Sequence, residues 1–234
     1  MSTSRLSRPL RSRERCSHRP PKMTLLGLIL ISGAFANSRD ILTLADKKSR
    51  TTHTANTLKF LHTATTRYTV KCVDTETGKV VGMALWDIYL TPSEWKKGGI
   101  SWLQGKEKER AEALVNPLWD ARELLWNNER YVYCNVLAVH PDYQRRGIGE
   151  LIFKYGMGIA EQVQLPIYIE SSKEAQRLYE KMGCRRLKAR PVYKFGDLGS
   201  DETDGSKEDR GAVLYVWIPS GKTEILPEKV ELAA

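Results

Sequence analysis

The chain has 234 residues, 41% of them hydrophobic and 28% charged, with a net charge of +9, which suits one globular domain with a sizeable core. Six Arg and one Lys against one Glu fall within residues 1–22, about +6, and leave about +3 for the remainder. The body is therefore only mildly basic, and bulk charge is removed as an argument for nucleic-acid binding. Cys16, Cys72, Cys134 and Cys184 form no CxxC pair and have no histidine at zinc-type spacing, so they read as reduced, mostly buried thiols of an intracellular protein, with no metal.

Residues 1–22 are poor in apolar residues and predict a disordered basic arm. "KMTLLGLILISGAFANS" (22–38) has a positive lead, an apolar run and a small-residue triplet. It is open to three readings: a secretory signal, a mitochondrial presequence, or a strand or helix of the core beginning near residue 24. It is too short and interrupted to span a membrane. Residues 54–66 predict a short helix. "RYTVKCVDTETGKVVGMALWDIYL" (67–90) predicts a hairpin, two β-rich runs around a turn at Asp74–Gly78.

Thr91, with Pro92 next and Glu94 three on, predicts a capping box opening a helical insert over about 91–128. The insert holds Trp95, Trp102, Trp119 and Trp126. Leu114, Leu118, Arg122, Leu125 and Trp126 share its face, which reads as core packing or as a wall over a substrate. "YVYCNVLAVHP" (131–141) predicts a buried strand stopped by proline, 147–162 a helix, 165–170 a strand, 172–183 a helix ending at Gly183. Residues 184–193 and 212–218 predict strands separated by a polar loop over 196–211, and 221–234 a polar tail. One domain over 23–220 follows, a mixed α/β sheet with at least one parallel pair and a right-handed crossover.

Within it, "HPDYQRRGIGELIFKYG" (140–156) is the stretch that points to chemistry. A strand feeding a glycine turn that opens a helix makes an anion site, because the first helical N–H groups have no internal partner and the helix dipole is positive there. Gly147 and Gly149 keep side chains out of the way, and Arg145 and Arg146 add charged donors. A pyrophosphate matches. No GxxxxGK[ST] is present. A Rossmann fingerprint is weakened, because Ile152 stands at the third glycine position and the turn is long, although Glu170 lies about 20 residues on.

"LAVHPDYQRRGIG" (137–149) resembles the central motif of the GNAT acetyltransferase superfamily, Q/R-x-x-G-x-G/A after an apolar strand, and "AQRLYEKMGC" (175–184) resembles that superfamily's next motif, in the same order and spacing. The resemblance implies a splayed central mixed β-sheet flanked by helices, with acetyl-CoA as cosubstrate wedged between the strands at 131–139 and 166–170. It implies that main-chain groups of the run Leu137, Ala138 and Val139 hold the acetyl-pantetheine arm. Gln144, Arg145, Arg146, Gly147, Ile148 and Gly149 would take the pyrophosphate, and Ser172 would make a further cofactor contact. Tyr179 would be the proton donor to the leaving thiolate and Glu170 the base. Trp86, Asp87, Tyr133 and Asn135 are candidates for the acceptor side, with Asp87, or a water held by Tyr133 or Asn135, as alternative bases; His140 reads as structural.

The activity implied is N-acetyl transfer from acetyl-CoA to a primary amine, a small molecule favoured over a protein, in a cytoplasmic enzyme without nucleic-acid or membrane partners. The alternative is a non-catalytic CoA-binding module. The sequence departs from the pattern at Ser172, where Asn is usual, at Cys184, where an aromatic is usual, and in lacking an evident first strand.

Overall fold

In the computed structural model the described residues are 14–17, 65–191 except 102, and 212–233 except 221, 223 and 224. The readings of 22–38, of 54–64 and of 196–211 lie outside them. In chain order the elements are β1 (Glu14–Ser17), β2 (Arg67–Asp74), β3 (Val80–Ile88), α1 (Gly105–Trp126), β4 (Val132–Val139), α2 (Ile148–Val163), β5 (Ile167–Ser171), α3 (Gln176–Lys181), β6 (Arg185–Arg186) and β7 (Val213–Trp217). The strands form one mixed sheet in the order β1-β2-β3-β4-β5-β7-β6.

The predicted hairpin is β2–β3. Asp74 closes its turn by accepting from the Glu76 amide (2.9 Å) and the Thr77 hydroxyl (2.8 Å), and Gly78 takes the left-handed conformation (φ +68°) the turn needs. The predicted β4–α2–β5 unit gives the parallel pair. It is short: Val132, Cys134 and the residue between them pair with Ile167–Ile169, and the strands part beyond. On the other side of β4 the antiparallel ladder with β3 slips at Leu85/Trp86, so that Asn135 is an extra residue. Such a bulge bends its strand and sharpens its twist, which carries the end of β4 away from β5.

Alternation along β3 and β4 sorts side chains to two faces. On one face Ala84, Trp86, Cys134, Leu137 and Val139 pack with Ile148, Ile152 and Phe153 of α2, burial that contributes roughly 1.5–3 kcal/mol for each large apolar side chain. The Trp86 ring lies so close to α2 that a Cβ on Gly156 would collide with it, and Trp86 meets Phe153 at 5.9 Å. On the opposite face Leu125 and Trp126 of α1 pack with Tyr131, Tyr133, Tyr168, Leu214 and Val216.

Three expectations are corrected. Four residues of the predicted arm 1–22 form β1, paired antiparallel to β2 with Cys16 opposite Cys72. The capping box at Thr91 starts no helix; α1 begins at Gly105. The intervening segment is instead pinned through buried Ser93, whose N–H donates to the Glu129 carbonyl (2.9 Å) and whose carbonyl accepts from the Asn128 N–H (3.1 Å). The polar tail folds back on the sheet edge. Val230 is buried, Leu232 bridges Leu187, and the Ala233 amide donates to the Arg186 carbonyl (2.9 Å).

Candidate active site

The parting of β4 from β5 leaves a strand edge without a pairing strand among the described residues. The ladder says which groups line it. Before the bulge, the Tyr89 N–H donates to the Tyr131 carbonyl and the Val132 N–H donates to the Pro166 carbonyl (both 2.9 Å), so odd residues bond to β3 and even ones face β5. Beyond the bulge, the His140 N–H donates to the Val81 carbonyl (2.9 Å). By the alternation of an antiparallel ladder, Val136 and Ala138 then turn their main chains to β3, and Leu137 and Val139 turn theirs into the fork. The Val139 carbonyl accepts there from Gln144 Nε2 (3.3 Å). Leu137 and Val139 thus turn main-chain groups into the fork. Ala138 does not: its main chain serves the ladder, and its side chain is buried with Met83 and Leu85 on the far face.

The strand edge runs into the glycine turn. After a single 3₁₀ turn at Pro141–Tyr143, Gln144, Arg145, Arg146 and Gly147 are all exposed. Arg145 (φ +61°) and Gly147 (φ +88°) are left-handed, a succession that points main-chain amides into a common concavity. The first helical bond of α2 runs from the Leu151 N–H to the Gly147 carbonyl (3.0 Å), so the amides of Ile148, Gly149 and Glu150 lack helical acceptors. A Cβ at Gly147 would meet nothing within 4 Å, whereas one at Gly149 would come to 3.3 Å from the Leu178 side chain. Gly147 therefore serves backbone shape beside open space, and Gly149 serves the packing of α2 against β4 and α3. Arg146 lies over the Tyr143 ring at 4.9 Å. Glu150, the acidic group of the first turn, is ion-paired with Lys181, which limits its repulsion of an incoming anion. Ser172 is exposed at the end of β5, and its carbonyl accepts from the Ser171 hydroxyl (2.8 Å).

Tyr179 projects from α3 into the core, packed edge-on against Phe153 (5.2 Å) and beside Tyr215 (5.9 Å). Its O–H donates to the Cys134 sulfur. Cys134 is the last residue of the parallel pairing, so the phenol stands at the base of the fork. Burial above all, with the Cys134 and Cys184 thiols adding to it, holds the phenol well above its ordinary range. It is a protonated donor at neutral pH. Burial also pushes the Cys184 thiol up to about 12.

A second polar cluster lies on the α1 face. The Tyr133 hydroxyl donates to Glu170 Oε2 (2.9 Å), while Glu170 Oε1 is enclosed without a hydrogen-bond partner, as is the neighbouring Tyr168 hydroxyl. Burial raises the Glu170 carboxyl above its ordinary range, against the pull of the Arg122 charge and the Tyr133 hydrogen bond. Asp87 sits nearby in a different state: it accepts from Arg67 through both oxygens (2.6 and 2.8 Å) and from Asn135 Nδ2 (3.1 Å).

Of the predicted acceptor residues, the structure brings Tyr133 to Glu170 and Asn135 to Asp87. It takes Trp86 away, onto the opposite face beneath α2, where it is core. Asp87 is held by three hydrogen bonds from Arg67 and Asn135 and reads as a brace at the bulge. The contribution missed at the sequence level is Arg122, buried in this cluster; a lone charged residue on the apolar stripe of α1 was the signal. Among the described residues no group of His, Cys, Asp and Glu is arranged to hold a metal, and no helix is long and apolar enough to cross a membrane.

A fork in a mixed sheet, flanked by helices and with an outward-facing strand edge that leads to a helix start of unsatisfied amides, is the splayed sheet the motif resemblance implied. The acetyltransferase (GNAT) family model matches residues 40–184, and the chain belongs to this family; it is an acetyltransferase. It is 30% identical over 115 residues, 48% of this chain and 79% of the other, to a protein of Ajellomyces capsulatus described as "Probable acyltransferase SID5". The fold is similar to that of a yellow fever mosquito protein described as "insect putative arylalkylamine N-Acetyltransferase 7" (TM-score 0.56, 14% identity, covering 88% of this chain and 87% of that one). It is also similar to a Corynebacterium glutamicum structure described as histone acetyltransferase HPA2 and related acetyltransferase (TM-score 0.52, 18% identity, covering 90% and 98%).

Proposed function

We propose that the protein moves an acetyl group from acetyl-CoA to the primary amine of a small acceptor, both bound at once. The observation that carries this reading is the continuous main-chain surface from Leu137 and Val139 into the exposed amides of the turn at Gly147. The first part suits an extended amide-bearing arm, and the second a diphosphate. When bound, acetyl-CoA supplies the acetyl group as a thioester.

The residues then divide the work. The Leu137 N–H, turned into the fork just past the bulge, donates to the thioester oxygen as it becomes an oxyanion. Glu170 takes a proton from the attacking nitrogen, the C–N bond forms and the C–S bond breaks, and the Tyr179 phenol gives its proton to the departing sulfur. A base must be deprotonated yet avid for a proton, and a buried carboxylate with one unsatisfied oxygen answers both needs. A small acceptor is favoured because the α1 face of the cluster is walled by Trp95 and Arg122, stacked at 4.2 Å. The test is to follow free-thiol release from acetyl-CoA across a panel of primary amines and amino-terminal peptides. Release that depends on a small amine supports the reading. Tight binding of acetyl-CoA without release for any acceptor would replace it with the non-catalytic one.

A further inference from the structure

Arg122 is the one Lys or Arg buried among the described residues, and none of their ion pairs includes it. Its Nε donates to the Tyr131 hydroxyl (2.9 Å) and its Nη2 to the Tyr89 hydroxyl (3.0 Å). The guanidinium carbon sits 3.8 Å from the centre of the Tyr133 ring and 4.2 Å from that of Trp95. A buried cation held only by neutral groups is costly, and ring faces offset that cost in part. The chain had cheaper ways to fill this place: the positions beside it on the stripe are Leu and Trp. The anion that Arg122 does reach lies one residue further on, because the ring it covers carries the hydroxyl that donates to Glu170 Oε2.

We propose that Arg122 is a positioning residue for acetyl transfer: it clamps the Tyr133 ring so that its hydroxyl stays aimed at Glu170, and its enclosed charge keeps the Glu170 carboxylate available to take the amine proton. The inference rests on Glu170 being the base. The groups around that carboxyl support it. Tyr133 faces it from β4 and Tyr168 from β5 itself, and Arg122 from α1 is the largest influence opposing the upward push of burial. Asp87 on β3 is held by Arg67 and Asn135, and Leu214, opposite Glu170 on β7, carries no charge. Among the described residues, Arg122 is thus the sole cation acting on Glu170 without an anion of its own.

The test is the pH profile of kcat/KM for the amine, at saturating acetyl-CoA, for the full chain and its Glu170→Gln, Arg122→Gln and Arg122→Lys variants. In the parent, activity is lost as pH falls through the titration of the base. Glu170→Gln removes that limb together with most of the rate. Arg122→Gln leaves acetyl-CoA affinity unchanged and moves the midpoint of the limb upward by about one pH unit, a tenfold gain in proton affinity, and Arg122→Lys restores the midpoint. An unmoved midpoint in Arg122→Gln, with the limb absent in Glu170→Gln, overturns the role of Arg122 alone. A limb that persists in Glu170→Gln overturns the base assignment and this inference with it. Should Arg122→Gln fail to fold, Tyr133→Phe, which keeps the ring and drops the hydroxyl, must raise the midpoint; a midpoint left in place refutes the relay.

Discussion

The turn at Gln144–Gly149 and the cluster around Glu170 serve one proposed reaction with opposite materials. The turn is exposed, contiguous in sequence and built from main-chain amides; its side chains matter chiefly by being absent or left-handed in backbone. The cluster is enclosed, assembled from α1, β4 and β5, and built from side chains. Gripping a diphosphate needs many aligned dipoles and tolerates water. Holding a carboxylate ready for a proton needs water kept out, hence burial, hence partners to keep the charge tolerable.

Each side of that contrast can be broken. The largest effect is expected at the turn. Gly147→Glu puts a side chain on a residue with φ +88° and a carboxylate into the proposed diphosphate site, and acetyl-CoA affinity measured by calorimetry should fall by more than ~100-fold, about 3 kcal/mol. Unchanged affinity would mean that the turn is not the diphosphate site. Next comes the brace beside the cluster. Asp87→Ala removes the carboxylate that Arg67 and Asn135 share, and urea unfolding should show a loss of about 3 kcal/mol; a loss of rate without a loss of stability would return Asp87 to the chemistry.

Tyr179→Phe keeps the ring against Phe153 and removes the donor, so kcat should drop ~10–100-fold with acetyl-CoA affinity nearly intact. An equal loss of affinity would make Tyr179 a packing residue. The smallest effect is on stability. The Glu170 carboxyl is raised above its ordinary value of 4.5. The folded protein therefore holds a proton that the unfolded chain releases, and the stability linked to this group is full below that value and is lost as pH rises through the folded one. Thermal midpoints of Glu170→Gln and the parent should coincide near pH 4 and separate toward neutrality, the variant becoming the more stable. A gap independent of pH would deny that Glu170 ionises at a cost.

The same contrast governs what the sequence reveals. The turn was legible because an amide-built site needs glycines at fixed, adjacent positions, and the β4–α2–β5 unit around it was legible from periodicity. The cluster was not. Tyr133 and Glu170 are 37 residues apart, and nothing in either neighbourhood marks the pairing. Part of the missing information was present in the period-two rule: Trp86 and Asp87 are consecutive in a strand and face opposite ways, so at most one could approach an acceptor. Gly156, in the middle of a helix, hinted that something large lies against it, and that something is the Trp86 ring. The failed capping box at Thr91 shows a local signal losing to tertiary hydrogen bonds, those between Ser93 and 128–129. The tail read as polar because Val230 and Leu232 are isolated apolar residues, and only their position beside Leu187 gives them a core to join.

Asn135 finally implies something about how the fork is kept open. Omitting it would leave the β3 ladder in phase, with Val136 still opposite Leu85 and Leu137 still directed outward. The strand would lose its bend, however, and could zip onward along Glu170 and Ser171. Such a shortened protein should fold, resist urea better than its parent and bind no acetyl-CoA. A single surplus residue, in this view, sacrifices hydrogen bonds the sheet would otherwise make so that a ligand can make them instead.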